Sequence, residues 1–225
     1  MSDRAAPRVP GLGGIVVCGG RSRRMGKPKA WLPFGGEALL QRVVRRVGEA
    51  AWPIVVVAAP DQELPLLSPE IRVVRDPVEG RGPLQGIAVG LGAMEGLADA
   101  AFISSTDAPF LEPALIRRLA ALRAGDSGTF VFNFDIVVPR TDDHHHPLCA
   151  VYACSVRPEA EALLAANRPR PFFLFERVRT LIAEAPLLLA DPALAAVDPD
   201  LRSLRNLNTP DDYEAALREA GISDP

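Results

Sequence analysis

Five cations, Arg21, Arg23, Arg24, Lys27 and Lys29, crowd the stretch CGGRSRRMGKPKAWLPFGG, which runs from Cys18 to Gly36. Like charges repel, and a flexible loop of them gains nothing on folding. The pattern therefore points to an anion that the loop holds. Gly19 and Gly20 allow a tight turn and bare their amide N–H groups. Arg24 can meet phosphate oxygens through its planar fork, and Lys29 as a point charge. The loop is not a Walker A sequence. One residue too many separates Gly20 from Gly26-Lys27, and Pro28 stands where Ser or Thr would follow. Nor does it contain G-x-G-x-x-G. What remains is a phosphate cradle of another kind. The plain alternative, a solvated basic loop, fits poorly with a position directly after a buried apolar run.

Other segments offer partners for such a cradle. SSTDAPFL sets Asp107 at the end of an apolar run and before a proline turn, a good position for a metal carboxylate, although turn aspartates are common. Mg2+ takes one or two carboxylates and completes its shell with phosphate and water. RDPVEGRGPLQG carries Asp76 and then Gly82-Pro83, a turn whose backbone could read the edge of a base; alone it would pass for a loop. RNLNTPDD puts Asn206 and Asn208 on one side of an extended segment, both able to donate and accept, with cap chemistry as the competing explanation. His144, His145 and His146 are consecutive and would face different ways. A contact from one of them to phosphate or substrate fits better than a metal site. Cys18 reads as a small buried strand residue, and the cluster PFFLFERVR (171–179) as core. No Ser-His-Asp order or nucleophile elbow is present. A positive loop facing a metal carboxylate suits phosphoryl or nucleotidyl transfer by positioning and charge neutralisation.

These residues need a frame. LGGIVVC (12–18) reads as a buried strand leading into the basic loop, and EALLQRVVRRVGEA (37–50) as an amphipathic helix after it. PIVVVAA (53–59) and IRVVRD (71–76) read as further buried strands. LQGIAVGLGAMEGL (84–97) has helical spacing, with glycines that would let it approach a neighbouring backbone closely. AAFISSTD (100–107) is a fourth strand, and EPALIRRLAALRA (112–124) its helix. DIVVPR and PLCAVYA are strand-like, SVRPEAEALLAAN and PFFLFERVR helical, and 180–205 indeterminate. TPDDYEAALREAG closes the chain as a helix capped by Thr209, with Pro210 at its first position and Gly221 after its end. Strands alternating with helices predict an α/β fold with a mostly parallel sheet. Ligands of such folds bind beyond the carboxyl ends of the strands, which puts the basic loop, Asp76 and Asp107 on one edge.

The chain of 225 residues is long enough for one substantial core, and residues 11–225 read as a single domain behind a disordered tail at 1–10. A net charge of −3 argues against nucleic acid as a partner. The first residues have no apolar stretch, and no segment is apolar for long enough to span a bilayer. Three cysteines in no zinc spacing suit a reduced, cytoplasmic protein.

VVCGGRSRRMGKPKAWLPFGG resembles the signature of nucleotidyltransferases with a Rossmann-like core. DPVEGRGPLQGIAVGL, SSTDAPFL, HHPLCAVY and NLNTPDDY follow in an order and spacing similar to those of molybdenum cofactor guanylyltransferases, from Gly14 to Tyr213. The resemblance implies a three-layer α/β/α fold with a mostly parallel mixed sheet. It implies transfer of GMP from GTP to the phosphate of molybdopterin, with Mg2+ as cofactor and pyrophosphate released. Molybdoenzyme-maturation proteins are the partners it suggests. Val17, Cys18 and Gly19 would touch the nucleotide through their backbones, with Gly20 and Ser22 in the same loop. Arg24 and Lys29 would bind the phosphates, and Asp107 the metal. Gly82, Pro83 and Leu84 would face the guanine, with Asp76 near the nucleoside. Asn206, Asn208 and the His146-Pro147 turn would lie on the molybdopterin side. Gly26-Lys27-Pro28-Lys29 departs from the usual Gly-x-Asp-Lys, and proline there is typical of cytidylyl-transferring relatives. CTP therefore stays open as the nucleotide, and a catalytically silent nucleotide-binding chaperone stays open as another class of function.

Overall fold

The computed structural model describes residues 6–18, 28–78, 80–125 and 133–222. The chain opens with β1 (Leu12–Val17), buried along its whole length. A short hairpin follows, β2 (Pro33–Phe34) and β3 (Glu37–Ala38), turned by Gly35 and Gly36 at positive φ. Then come α1 (Leu39–Gly48), β4 (Ile54–Ala58), β5 (Arg72–Arg75), α2 (Pro83–Met94), β6 (Ala100–Ser105) and α3 (Pro113–Ala124). The second half adds β7 (Ile136–Thr141), β8 (His144–His145), β9 (Cys149–Ala153), α4 (Arg157–Ala165) and α5 (Phe172–Phe175). It ends with β10 (Thr180–Glu184), α6 (Ala185–Leu189), α7 (Pro192–Val197) and α8 (Pro210–Glu219).

The main sheet has the order β10-β7-β9-β6-β1-β4-β5, with β8 added beside β7. β9 alone in that row runs against both its neighbours; the other pairs along it are parallel. One face packs on α1, α3, α6 and α7, the other on α2, α4 and α5. The architecture is the expected three-layer α/β/α fold. A third small core joins Leu32, Phe34 and Leu39 to Leu207, Ala216 and Leu217, and so fastens the hairpin to α8.

Glycine sets the closeness of α2 to the sheet. A Cβ on Gly90 would come within 2.5 Å of Ile15 Cγ2, and one on Gly86 within 2.8 Å of Val17 Cγ1. The helix meets side chains of β1 rather than its backbone. It is apolar nearly all round because β1 and β4 lie beneath it and α4 packs beside it.

Several sequence expectations need correcting. IRVVRD does not form a buried strand: β5 is the sheet edge and Val73 is 41% exposed. Glu37 and Ala38 belong to the hairpin and not to the first helix, because they pair with Phe34 and Pro33. PFFLFERVR yields one helical turn rather than a long helix. Residues 6–10, expected in the tail, dock on the body. Val9 N donates to Ala50 O, Arg8 Nε to Gly48 O, and the Arg8 guanidinium lies over Trp52.

Candidate active site

Parallel strands bring the ends of β1, β4, β5 and β6 to one edge. Two contacts then assemble the centre of the site. The Lys29 ammonium lies 2.6 Å from Asp107 Oδ2, and Leu207 N donates to the backbone carbonyl of Asp107 at 2.9 Å. Lys29 begins a single 3-10 turn after Pro28, and Asp107 follows β6 by two residues. The segment carrying the two asparagines is thus pinned to the backbone of the residue whose carboxylate the lysine meets. Leu207 is buried while Asn206 and Asn208 are exposed on either side of it, as the alternation predicted. Asn208 N and Thr209 N both donate to Asp212 Oδ2, the capping box that starts α8.

Thr106 ties the ends of two strands. Its amide and its hydroxyl both donate to Val17 O, at 3.3 and 3.2 Å. Cys18 N donates to Val57 O. The Val17 carbonyl and the Cys18 amide are therefore committed within the sheet, which leaves other backbone groups of this stretch for the expected nucleotide contact. The Cys18 thiol is buried and accepts from Gln62 Nε2 at 3.2 Å. Burial pushes its pKa up, against the hydrogen bonds from Thr106 and Gln62. A buried thiol with a raised pKa stays protonated near neutral pH, which disfavours a nucleophilic role.

Asp107 Oδ1 is buried and has no hydrogen-bond partner among the described residues. An orphaned carboxylate oxygen of this kind fits a hard cation. No group of three or more His, Cys, Asp or Glu side chains among the described residues could hold a metal by itself. Mg2+ is a cation that takes one or two carboxylates and completes its shell with phosphate and water.

Gly82 caps α2 at φ +79°, a conformation that favours glycine, and Pro83 takes the first helical position. Glycine offers no side-chain cap and Pro83 has no amide to donate, while Gln85 N donates to Gly82 O at 3.3 Å; the positive end of the helix dipole lies here. The Leu84 side chain is fully buried, so any contact it makes with a base must be through its backbone. Asp76 N donates to Ala58 O, and Asp76 Oδ1 accepts from Val78 N in an Asx turn. His146 lies in the turn after β8, with its ring Nε2 2.7 Å from Thr141 Oγ1. Burial, then the neighbouring His144 and His145, hold its pKa below the ordinary value. That turn abuts β6, because Ser105 N donates to Leu148 O.

The structure thus joins Lys29, Asp107 and the Asn206–Asn208 segment directly, and sets Asp76, Gly82, Pro83, Leu84 and His146 around them on the same edge. Gly19, Gly20, Ser22 and Arg24 lie outside the described residues. Sequence reasoning missed the role of Leu207: an apolar residue between two asparagines signals burial, but not the bond of its amide to Asp107. It also missed Gln62, which no motif marks. A groove of about 420 Å³ beside Trp52, Val44, Leu67 and Ile71 holds none of these site residues.

Residues 14–180 match the model of the MobA-like NTP transferase domain. The chain belongs to this family. A probable molybdenum cofactor guanylyltransferase of Mycobacterium avium is 36% identical over 91% of this chain and 94% of its own length. One from Mycobacterium bovis is 35% identical over 93% and 94%. Among solved structures, molybdopterin-guanine dinucleotide biosynthesis protein A of Archaeoglobus fulgidus superposes with a TM-score of 0.71 at 22% identity, covering 94% of this chain and all of that one. That likeness supports the three-layer fold. Membership of the MobA-like NTP transferases makes nucleotidyl transfer the chemistry against which the Lys29–Asp107 centre is to be read. No helix among the described residues is long and apolar enough to cross a membrane.

Proposed function

We propose that this chain transfers GMP from GTP to the phosphate of molybdopterin and releases pyrophosphate. The observation that carries the reading is the Lys29–Asp107 pair at the end of β6, with the Asn206–Asn208 segment bonded to the Asp107 backbone and α2 starting on the same sheet edge. The names of the two mycobacterial relatives agree with it.

On this reading Asp107 holds Mg2+, which when bound supplies charge neutralisation at the phosphates. Lys29 leaves Asp107 for the triphosphate and stabilises charge there, joined by Arg24 of the basic loop. The α2 amides beyond Gly82 and Pro83 read the base through backbone groups, and Asp76 lies toward the nucleoside. Asn206, Asn208 and His146 orient the acceptor. The attacking phosphate oxygen is already ionised near neutral pH, so no general base is needed. That agrees with a thiol held neutral at Cys18. The enzyme would work in the reducing cytoplasm, with its three cysteines as thiols, and hand its product to proteins that mature molybdoenzymes.

Pro28 favours a second nucleotide, CTP, on the same acceptor. Pyrophosphate release with GTP or CTP, in the presence of Mg2+ and molybdopterin, separates the readings. Preference for GTP with acceptor-dependent release is the expected result. Preference for CTP would make the chain a cytidylyltransferase. Tight GTP binding without release would favour a silent nucleotide-binding chaperone.

A further inference from the structure

The edge that carries Asp107 also carries a row of π surfaces that the transfer chemistry does not use. The His145 ring centroid lies 5.9 Å from that of Phe172 and 5.8 Å from that of Phe175. Phe172 lies 6.3 Å from Phe173, over which the Arg168 guanidinium sits at 3.8 Å. Phe175 is in the core and anchors the row, whereas Phe172 is 49% exposed. An aromatic ring held by tilted and edge contacts from His145 and Phe173, and still half exposed, is a surface already fixed for a flat ligand.

The chain path ties this row to both ends of the candidate site. β8 extends from the end of β7, which runs in the direction of β6. Three residues after His145, Leu148 O accepts from Ser105 N, just ahead of Asp107. Three residues before Phe172, the Pro169 carbonyl lies 3.5 Å from where a Cβ on Gly82 would stand. The row therefore begins beside the start of α2 and ends beside the turn that carries His146.

Its chemistry is that of a heteroaromatic site. Rings and a guanidinium attract flat π systems through stacking and cation–π contacts. Arg140 stands opposite His145 in the β7–β8 pairing and opposite Glu184 in the β7–β10 pairing. Its Nε lies 2.8 Å from Glu184 Oε1. This pair can meet the donors and acceptors on the rim of a ring. Burial, then Arg140, hold the pKa of His145 below the ordinary value, which keeps the ring neutral for stacking near pH 7.

We infer that Phe172 and His145 form the stacking face for the pterin ring of the acceptor. The inference rests on the proposed function, since it takes molybdopterin as the second substrate. Base–aromatic stacks are worth about 1–3 kcal/mol each, so loss of the ring should cost about 10-fold or more in affinity.

The test compares the full chain with Phe172→Ala and Phe172→Trp in two assays. In GMP transfer, Phe172→Ala should raise KM for molybdopterin about 10-fold and leave KM for GTP unchanged, while Phe172→Trp should restore it. In binding, the wild type should quench the fluorescence of 6-hydroxymethylpterin, and Phe172→Ala should not. An unmoved KM for molybdopterin, or equal changes in both KM values, overturns the inference. If the wild type transfers no GMP, the functional reading fails by itself and the quenching assay still decides. Loss of quenching in Phe172→Ala then upholds a heteroaromatic stacking site. Equal quenching by both proteins, or none by the wild type, rejects it.

Discussion

The ammonium of Lys29 rests 2.6 Å from Asp107 Oδ2, although 78 positions of sequence separate them. Both side chains are mostly shielded, 21% and 15% exposed. Each is the other's counter-ion, so a triphosphate must outcompete the carboxylate to take the lysine. Lys29→Ala should then weaken binding of Mg2+-GTP by about 10- to 100-fold, the worth of one charge-assisted hydrogen bond to phosphate. Calorimetric titration with GTP checks this. An unchanged affinity would remove Lys29 from the cradle.

Asp107→Asn keeps the shape of the side chain and removes its charge. The backbone carbonyl that receives Leu207 N is untouched, so the fold should persist, with a melting temperature lowered only by the loss of the Lys29 counter-ion. Metal-dependent pyrophosphate release should fall by at least about 100-fold, because a Lewis acid at the phosphates contributes several kcal/mol. Binding of Mn2+, followed by its electron paramagnetic resonance signal, should weaken in parallel. Turnover at the wild-type rate would mean that the metal is held elsewhere.

The legible part of this molecule is the part written in local pattern. Apolar runs such as Ile15–Val17 and Ile54–Ala58 are buried central strands, and Thr209-Pro210 starts α8 as its cap chemistry requires. The site was legible because strand ends carry it: once the sheet is parallel, Asp76 and Asp107 must share an edge. β5 misled because VV between two arginines reads as a buried strand, yet as the last strand of the sheet it exposes Val73. Long-range closure left no local sign. Nothing near Leu207 announces that its amide will reach Asp107, 100 residues earlier, or that Gln62 will meet Cys18. The turn from Phe172 to Phe175 was read as core, which holds for Phe175 but not for Phe172. Four consecutive apolar residues have no period from which to tell the two sides apart.

Gly90 is a test of the close approach of α2. A methyl group there would lie 2.5 Å from Ile15 Cγ2 and 3.3 Å from Val57 Cγ2. Ile15 is β-branched and fully buried in a strand, so it cannot swing aside cheaply. Alanine gains about 1 kcal/mol of helix propensity over glycine, but overpacking a tight core costs about 1–3 kcal/mol. Gly90→Ala should therefore lose on the order of 1 kcal/mol in urea unfolding. Increased stability would show that the helix can lift from β1 without penalty.

His146 makes stability depend on mild acid. Burial, with His144 and His145 adding to it, keeps its folded pKa below the ordinary value of 6.5. Below that pH the unfolded chain takes up a proton that the folded ring resists. The slope of unfolding free energy with pH is set by protons bound unfolded minus protons bound folded, and here that difference is positive. The contribution is thus complete above about pH 6.5. It is lost as pH falls toward the lowered folded value and changes no further below it. His145 acts in the same direction, because burial and then Arg140 lower its pKa too. The carboxylates of Glu37 and Asp135, lowered by Arg45 and Arg179, stay ionised down to about pH 5 and do not confuse the window. Melting temperature should drop between about pH 7.5 and pH 5 in the wild type, and drop less in His146→Gln, whose amide can keep a hydrogen bond to Thr141. Identical drops in the two proteins would mean that His146 titrates alike folded and unfolded, and that the turn beside β6 is open to water.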